Sequence, residues 1–304
     1  MKLQFNIQGK SQPDPFIFQD GDTFYIYTTA HDGVECYKTN DVFGEWIFIG
    51  TVAAFPGGKN YWAPSVIRYK DTYYIYVSCE KENAFQFLHV AKSDSPEGPF
   101  TEEKCLFDHF SIDSHVVETE AGLFLWYAEN NEAVEKKGTR VFVDKLVDPY
   151  TPAYQPKEVI LPDFPEELFT PQCLGDDLWY TVEGPFWFKE GEWQYVMYSA
   201  GCYQDDTYHI GYARAKSDEA DLTKVEFEKY TENGAFAPVL IKNDFEEGTG
   251  HHSVLKLDDT YYAIYHGRDW GDLKDGYHEA RTARICKLHI NDGIITAERY
   301  PDKI

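Results

Sequence analysis

The segment Asp22-Thr23-Phe24-Tyr25-Ile26-Tyr27 decides the fold prediction, because four related segments follow it along the chain. Each copy begins at a Gly or Asp turn and continues as a run of aromatic and aliphatic residues that ends in Tyr, which is typical of a strand. The other copies run from Asp71 to Tyr76, Gly122 to Tyr127, Gly191 to Tyr198 and Asp259 to Tyr265. Their spacing of roughly 50 to 70 residues suits the blades of a β-propeller with inserted loops.

Five copies predict an all-β fold, a five-bladed β-propeller in which each copy is the second strand of a four-stranded blade. A blade cannot bury both of its faces alone, so blades stack around a common axis. We expect one domain over residues 1–304, without a helical domain. A β-sandwich whose strands resemble one another by chance remains the alternative.

A second apolar strand precedes each copy and starts about fourteen residues before its final Tyr. The first strand of a propeller blade lines the central channel, so equivalent positions in successive blades converge at one mouth of that channel. These positions hold, in chain order, Asp14, Trp62 with Ala63, Asp113, Glu183 and His251. Carboxylates held close together oppose one another's ionisation, a cost that proteins carry where it supports chemistry or binding.

The composition narrows the choice of ligand and compartment. The formal net charge of -24 repels nucleic acids and anionic membranes and leaves a neutral or cationic ligand, although it also serves solubility. No stretch has the length and apolar character of a membrane span. The six cysteines include no C-x-x-C pair and the first residues form no apolar leader, so we expect reduced thiols and a cytoplasmic protein.

Three of the converging residues have the chemistry that hydrolysis of a glycosidic bond requires. That reaction needs an acid to protonate the leaving oxygen and a carboxylate that acts as base or nucleophile across the sugar. Asp14, Asp113 and Glu183 belong to different predicted blades, so a sugar could lie between them. A third carboxylate can raise the pKa of the acid by like-charge repulsion. Taken singly, each could instead be a strand-end residue that binds a turn backbone.

Five short motifs carry a resemblance to a known family. They are Pro13-Asp14-Pro15, Tyr61-Trp62-Ala63-Pro64, Ile112-Asp113-Ser114-His115, Val182-Glu183-Gly184-Pro185 and Gly248-Thr249-Gly250-His251-His252-Ser253. In this order they resemble glycoside hydrolase family 43, from Pro13 to about Gly293. The resemblance implies a single catalytic five-bladed propeller that inverts the anomeric centre. It also implies that Asp14 is the general base, that Glu183 is the general acid, and that Asp113 tunes and orients the acid.

The resemblance suggests further contacts with substrate and metal. Trp62 is expected to form an apolar wall for the sugar, unless it is an ordinary core aromatic. Arg281, which resembles the family's late Arg, is expected to bind a substrate hydroxyl or else to form a salt bridge on the acidic surface. His31 and His252 are further candidate substrate contacts. His251 is the candidate ligand of a central hydrated cation, calcium or sodium, although a lone His is more often structural and a hard cation prefers oxygen.

The family's activities leave the sugar open between arabinofuranosides and xylosides. The chain ends just past the fifth predicted blade, without the accessory β-sandwich of the family's larger xylosidases. We therefore expect an exo-acting α-L-arabinofuranosidase that releases terminal L-arabinofuranose from arabinan, arabino-oligosaccharides or arabinoxylan. A β-xylosidase, an endo-arabinanase and a non-catalytic sugar-binding propeller are the alternatives. The sequence does not indicate an oligomeric state.

Overall fold

A computed structural model describes residues 1–82, 84–169, 178–274, 276 and 278–301. Within these ranges the chain is almost entirely β-structure, with short 3-10 helices at Pro165–Glu167 and Leu222–Lys224. No helix in these ranges has the length and apolar character needed to cross a membrane. The all-β prediction and the propeller arrangement are confirmed.

Mainly antiparallel sheets of four or more strands follow one another along the described chain. The first contains β1 (Gln4–Phe5), β2 (Phe16–Asp20), β3 (Thr23–Thr28), β4 (Val34–Thr39) and β5 (Glu45–Ala53). The second contains β6 (Gly58–Tyr69), β7 (Thr72–Lys81), β8 (Ala84–Ser93) and β9 (Thr101–Cys105). The third contains β10 (Ser111–Thr119), β11 (Gly122–Asn131), β12 (Gly138–Asp148), β13 (Thr151–Pro152), β14 (Lys157–Ile160), β15 (Leu168–Phe169) and β16 (Trp179–Tyr180).

The remaining sheets complete the chain. The fourth contains β17 (Val182–Glu190), β18 (Trp193–Ala200), β19 (His209–Lys216) and β20 (Glu228–Lys229). A two-stranded sheet follows, made of β21 (Thr231–Glu232) and β22 (Ala235–Phe236). The last contains β23 (Glu246–Leu257), β24 (Thr260–Asp269), β25 (Thr282–Asn291) and β26 (Ile294–Glu298).

The first long strand of each large sheet lies toward a common axis. β2 contacts β6, β6 contacts β10, β10 contacts β17, β17 contacts β23, and β23 contacts β2 again. The Tyr-ending repeats are the second strands of these sheets, and each pairs antiparallel with the inner strand before it. The inner strands therefore form a closed ring, and their starting residues surround one opening.

The hydrophobic core is divided among the interfaces between neighbouring sheets. One cluster joins Val34 of the first sheet to Ile75 of the second, and three more fill the following interfaces in chain order. A further cluster joins Ile26 of the first sheet to Ile285 of the last. Trp46, Trp126 and Tyr27 are among the largest fully buried side chains, because large flat rings pack well between pleated sheets. Each sheet is thus buried on both faces by its two neighbours.

The N-terminal segment links the last sheet to the first. The Leu3 N–H donates to the Ala283 carbonyl, and the Ile285 N–H donates to the Met1 carbonyl. The next residues, β1, then pair parallel with β5 on the outer edge of the first sheet. The segment thereby holds two sheets that are neighbours in space but lie at opposite ends of the chain.

The prediction of four strands in every blade is wrong for two of the large sheets. The first sheet has five strands because β1 is added to its edge, and the third has seven. In the third sheet β12 is long enough to pair with β11 on one side and with β13, β14 and β16 on the other. Short edge strands from the following loops therefore extend that sheet.

Candidate active site

A residue in the left-handed backbone region sits near the start of every inner strand. The φ angles are 53° at Asp14, 45° at Ala63, 59° at Asp113, 58° at Gly184 and 41° at His251. In β6, β10, β17 and β23 the pairing register shifts around these positions. Such irregularities re-aim side chains and are common next to active sites.

The left-handed residues correct the predicted alignment of the blades. Gly184, and not Glu183, occupies the position of Asp14 and Asp113. A regular strand would turn successive side chains to opposite faces. Here Pro13 and Asp14 both line the pocket, as do Ile112 and Asp113, because the local bend breaks that alternation. Glu183 thus reaches the same pocket from one position earlier in its strand.

The pocket at this mouth of the ring has a volume of about 540 Å³. That volume falls within the range of small-molecule sites. All three predicted carboxylates contribute to its lining, together with Trp62, His251, Arg281 and His31. Its other lining residues are Lys10, Ser11, Pro13, Thr29, Ala30, Glu35, Asn60, Ile112, Tyr203, Tyr208 and Glu279.

Asp14 is held as a carboxylate by its neighbours. The Thr29 hydroxyl donates to Oδ2 at 2.6 Å, and the Arg281 guanidinium contacts Oδ1 at 3.2 Å. The Asp14 N–H donates to His266 Nδ1 at 3.1 Å, which fixes the backbone of the left-handed residue. Burial alone would raise the pKa of Asp14, but the charge of Arg281, with His251 and His266, holds it well below the ordinary value. Asp14 is therefore ionised, and its contacts hold its carboxylate at the pocket.

Asp113 and Glu183 are shifted in the opposite direction. Burial, with the charges of Glu183 and Asp14, raises the pKa of Asp113 well above its ordinary value. Burial also raises the pKa of Glu183 to about 7, against the hydrogen bond that it accepts from Tyr208. The Gly184 N–H donates to Asp113 Oδ2 at 3.0 Å, which ties Asp113 to the strand that carries Glu183. These two carboxyls keep protons at a pH where Asp14 has none.

Arg281 lies in the pocket and forms ion pairs there. Its Nη1 contacts Asp14, its Nη2 lies 3.0 Å from Glu279 Oε2, and its guanidinium covers the Tyr203 ring at 5.1 Å from the centroid. The salt-bridge alternative for Arg281 is therefore present, on the wall of the pocket, and its contact with a substrate hydroxyl stays a prediction. A second Arg three residues later, Arg284, is buried in the last sheet against Glu246 and Asp269.

The adjacent histidines occupy two different levels of the channel. His251 lines the pocket, with Nδ1 3.6 Å from Asp14 Oδ1 and 3.8 Å from Asp113 Oδ2. His252 does not line it; its ring is buried beside a cavity of about 10 Å³ below the carboxylates. The structure therefore places His252 away from the predicted substrate contacts, because the strand turns the second His toward the interior.

The donor set around these histidines does not fit a cation held by the protein. Among the described residues, no three His, Cys, Asp or Glu side chains are grouped to bind a metal ion. The His252 ring nitrogens have no hydrogen-bond partner there, but the cavity beside them has room for about one water molecule. The central cation stays an untested prediction, and no step of the chemistry below uses it.

Aromatic rings continue from the pocket wall to the surface. The Trp62 ring, on the wall, meets the Phe85 ring edge to face at a centroid distance of 5.7 Å. Phe85 is 55% exposed and stacks on Phe110 at 6.0 Å. His31, also at the rim, is largely exposed and shares a hydrogen bond of 2.5 Å with the Asn60 side chain. Trp62 is thus a pocket residue and not a core aromatic.

Several pocket residues were missed at the level of sequence. Thr29, in the pocket lining, follows directly after β3, and His266, which contacts Asp14 without lining the pocket, follows directly after Tyr265 within β24. Antiparallel pairing brings that end of the second strand beside the start of the inner strand. A polar residue shortly after the final Tyr of a repeat was therefore a usable signal for these two positions. Tyr208 carried no such signal, because it precedes the third strand of its sheet. The aromatic-rich segment from Phe164 to Trp179 is, by sequence, a candidate part of the pocket rim, and its residues 170–177 lie outside the described residues.

The comparison with known families agrees with the residues in this pocket. The model of glycosyl hydrolases family 43 matches residues 7–295. The chain belongs to this family. The family 43 match extends from before Asp14 to beyond Arg281, so it includes every inner strand.

Two relatives and one solved structure illustrate the likeness. The chain is 22% identical to an extracellular exo-α-(1→5)-L-arabinofuranosidase of Streptomyces avermitilis, over 94% of this chain and 61% of that protein. It is 25% identical to the extracellular exo-α-(1→5)-L-arabinofuranosidase ArbA of Cellvibrio japonicus, over 91% of this chain and 83% of the relative. The crystal structure of a thermostable family-43 glycoside hydrolase superposes with a TM-score of 0.81 at 25% identity, over 97% and 95% of the two chains.

The prediction of a cytoplasmic location is wrong. It is contradicted by both of these relatives, which are named extracellular enzymes. The prediction rested on the first residues of the sequence and on scattered cysteines, and neither feature determines the compartment of a protein. This family 43 chain spans 61% of the Streptomyces relative's length.

Proposed function

We propose that this family 43 chain is an inverting, exo-acting α-L-arabinofuranosidase that removes terminal L-arabinofuranose from arabinan, arabino-oligosaccharides or arabinoxylan. The observation that carries the proposal is the opposite ionisation of carboxylates in one pocket. Asp14 has a lowered pKa, whereas the pKa of Glu183 is raised to about 7. Pairs of titratable groups whose environments push their pKa values apart are a mark of acid and base roles.

The two roles follow from the protonation states. Ionised Asp14 takes a proton from water as that water attacks the anomeric carbon, while Thr29 and Arg281 hold its two oxygens. Protonated Glu183 gives its proton to the leaving oxygen. The negative charge of Asp14 opposes ionisation of Glu183, and Asp113 orients the acid by accepting a hydrogen bond from the Gly184 backbone beside it. No covalent bond to the sugar is needed in this scheme.

The choice of sugar rests on the relatives and on the pocket. The two relatives described above are named exo-acting arabinofuranosidases, although identities of 22% and 25% leave the sugar to experiment. The pocket at the mouth of the ring suits the terminal sugar of an oligosaccharide. The Trp62, Phe85 and Phe110 rings, which continue from the pocket wall to the surface, suit the sugars that follow it.

The test is hydrolysis of 4-nitrophenyl α-L-arabinofuranoside and 4-nitrophenyl β-D-xyloside by the purified protein, followed by product analysis on linear α-1,5-arabino-oligosaccharides. We expect arabinofuranoside hydrolysis and release of single arabinose units. A preference for the xyloside would identify a β-xylosidase instead. Binding of these sugars without hydrolysis of either would identify a non-catalytic sugar-binding propeller.

An endo-arabinanase is the second candidate, because a further cavity adjoins the pocket. This cavity of about 660 Å³ lies along the N-terminal segment and shares Lys10, Ser11 and Glu279 with the pocket lining. A continuous groove across both would admit the middle of a polysaccharide. Early release of mixed oligosaccharides from linear arabinan, with little free arabinose, would favour this candidate.

The propeller proposed here has five blades. The support is the set of inner strands that contact one another in a closed ring and the hydrophobic cluster that fills each interface between neighbouring sheets. An experimental structure at high resolution, with the blades counted around the axis, tests this number.

A further inference from the structure

Among the described residues, Tyr208 alone donates a hydrogen bond to the Glu183 carboxyl. It lies just before β19, the third strand of its sheet, and not on an inner strand. Its hydroxyl donates to Glu183 Oε1 at 2.7 Å. The phenol is almost fully buried, with 1% of the residue exposed. Burial, together with the charges of Glu183 and Asp113, raises the pKa of Tyr208 well above its ordinary value. The phenol therefore keeps its proton and acts as a donor.

The Tyr208 ring is fixed from two sides. One face stacks on the His266 ring, with a centroid distance of 5.6 Å and an interplanar angle of 10°. The other side lies against Gly250, where an added Cβ would come within 1.9 Å of the ring. His266 in turn accepts the hydrogen bond from the backbone of Asp14. The phenol is therefore placed by groups that also place the base.

We propose that Tyr208 is a positioning residue for the general acid: it occupies Glu183 Oε1, so that the transferable proton is carried by Oε2, and it stabilises the carboxylate left after transfer. This inference rests on the proposed role of Glu183. A donor on Oε1 leaves Oε2 as the protonated oxygen, since a carboxyl carries its proton on one oxygen at a time. Among the described residues no hydrogen bond reaches Oε2, and Glu183 lines the pocket. Oε2 is thus the oxygen available to a leaving group.

The hydrogen bond from Tyr208 also limits how far burial raises the pKa of Glu183. Burial disfavours the carboxylate of Glu183, and the charge of Asp14 adds to this, while Tyr208 and Arg281 oppose it. The other titratable groups that face Glu183 electrostatically are Asp113, Cys202 and Tyr203. A hydrogen bond to a charged group contributes enough to shift a pKa by about one unit. Without it, Glu183 becomes a weaker acid that remains protonated to higher pH.

The experiment is the pH dependence of kcat/KM for Tyr208→Phe, which removes the hydroxyl and keeps the ring. The substrate is α-1,5-arabinobiose, or the matching xyloside if the wild type prefers it, because its leaving alcohol requires protonation. We expect the basic limb of the profile to move up by about one pH unit. We also expect kcat at pH 6 to fall by about tenfold on this substrate and to change little on a dinitrophenyl glycoside.

Tyr198→Phe is the matched control. Tyr198 is also a buried tyrosine that donates to a buried carboxylate, Glu167 Oε1 at 3.2 Å, but neither residue lines the pocket. Its loss should leave the basic limb unchanged. Gly250→Ala is the second test, because it displaces the phenol without removing it and should also raise the basic limb.

The outcomes separate the positioning role from a structural one. An unmoved basic limb in a folded Tyr208→Phe, or equal losses on both substrates, would overturn the proposal. An upward shift in Tyr198→Phe of the same size would also overturn it. Glu183→Gln tests the assumption beneath it: if this variant keeps activity on arabinobiose, the acid role of Glu183 and the role of Tyr208 both fail. If Glu183→Gln fails as expected and the limb of Tyr208→Phe stays, only the Tyr208 proposal fails.

Discussion

At the scale of single residues, the neighbouring charges and burial give Asp14 and Glu183 opposite pKa shifts, although both are acidic residues of the same predicted channel mouth. Asp14 lies beside the charged Arg281 guanidinium. Among the described residues, the side chain that donates a hydrogen bond to the Glu183 carboxyl is the neutral phenol of Tyr208. The sequence predicted that these residues converge, because their strands repeat. It could not predict their ionisation, because the donors Thr29, Tyr208 and Arg281 come from other strands and loops.

Glu183→Gln should remove the proton donor while keeping the shape of the side chain. We expect kcat on oligosaccharides to fall by about 10²- to 10⁴-fold, the usual contribution of general acid catalysis. The loss should be much smaller on dinitrophenyl glycosides, whose leaving group departs without protonation. Steady-state kinetics on both substrates measures this difference, and equal losses would argue against the acid role.

Arg281→Gln should displace the whole pH profile toward higher pH. The Arg281 charge opposes the effect of burial on Asp14 and lowers the pKa of both Asp14 and Glu183, so its loss raises both. Asp14 acts when ionised, so the acidic limb moves up; Glu183 acts when protonated, so the basic limb moves up too. Arg68→Gln, at an exposed ion pair with Asp20, is the control and should leave kcat/KM against pH unchanged. An acidic limb that stays in place would contradict this account of Asp14.

At the scale of the strand, the left-handed residue near the start of each inner strand builds the site. The sequence indicated the inner strands through their spacing before each Tyr-ending repeat. It did not indicate the bend, since Asp, Ala and His residues adopt positive φ only where surrounding structure requires it. The predicted alignment consequently treated Glu183, instead of Gly184, as the residue equivalent to Asp14 in its blade.

Gly184→Ala should reduce both stability and activity. Gly184 has a φ of +58°, and an added Cβ would come within 3.3 Å of His251 Nδ1. Gly191 has the same φ, and nothing lies within 4 Å of its added Cβ, so Gly191→Ala is a matched control. We expect both variants to lose about 1 kcal/mol of unfolding free energy in urea, but only Gly184→Ala to lose activity. Equal activities would show that the bend at Gly184 does not position the site.

The β7–β8 hairpin carries Phe85 beyond the pocket wall, and Phe85→Ala tests its contribution. Removal of an exposed ring that continues from Trp62 should raise KM for arabino-oligosaccharides by about tenfold, the loss of roughly one aromatic contact. The thermal midpoint should hardly change, because the ring is mostly exposed. Phe43→Ala removes a ring that is 46% exposed and does not line the pocket, and should leave KM unchanged. An unchanged KM in Phe85→Ala would exclude this surface from substrate binding.

At the scale of the whole molecule, the closed ring explains why residues from position 10 to position 281 form one pocket. The repeat predicted the ring, but no pattern in the sequence indicated that Met1 and Leu3 bind the last sheet while β1 binds the first. Such a link depends on which edges meet after closure. The net charge of -24 fits a neutral sugar ligand, which the acidic surface does not repel.

Proton NMR of the reaction is the most direct test of the central claim, that Asp14 activates water while Glu183 protonates the leaving group in a single displacement. The wild-type protein is mixed with an α-L-arabinofuranoside, and the anomeric signals are followed before mutarotation equilibrates the product. The account predicts that the first free arabinose carries the β configuration, opposite to that of the substrate. First release of the α anomer would show a retaining reaction and would contradict the role of Asp14 as a base.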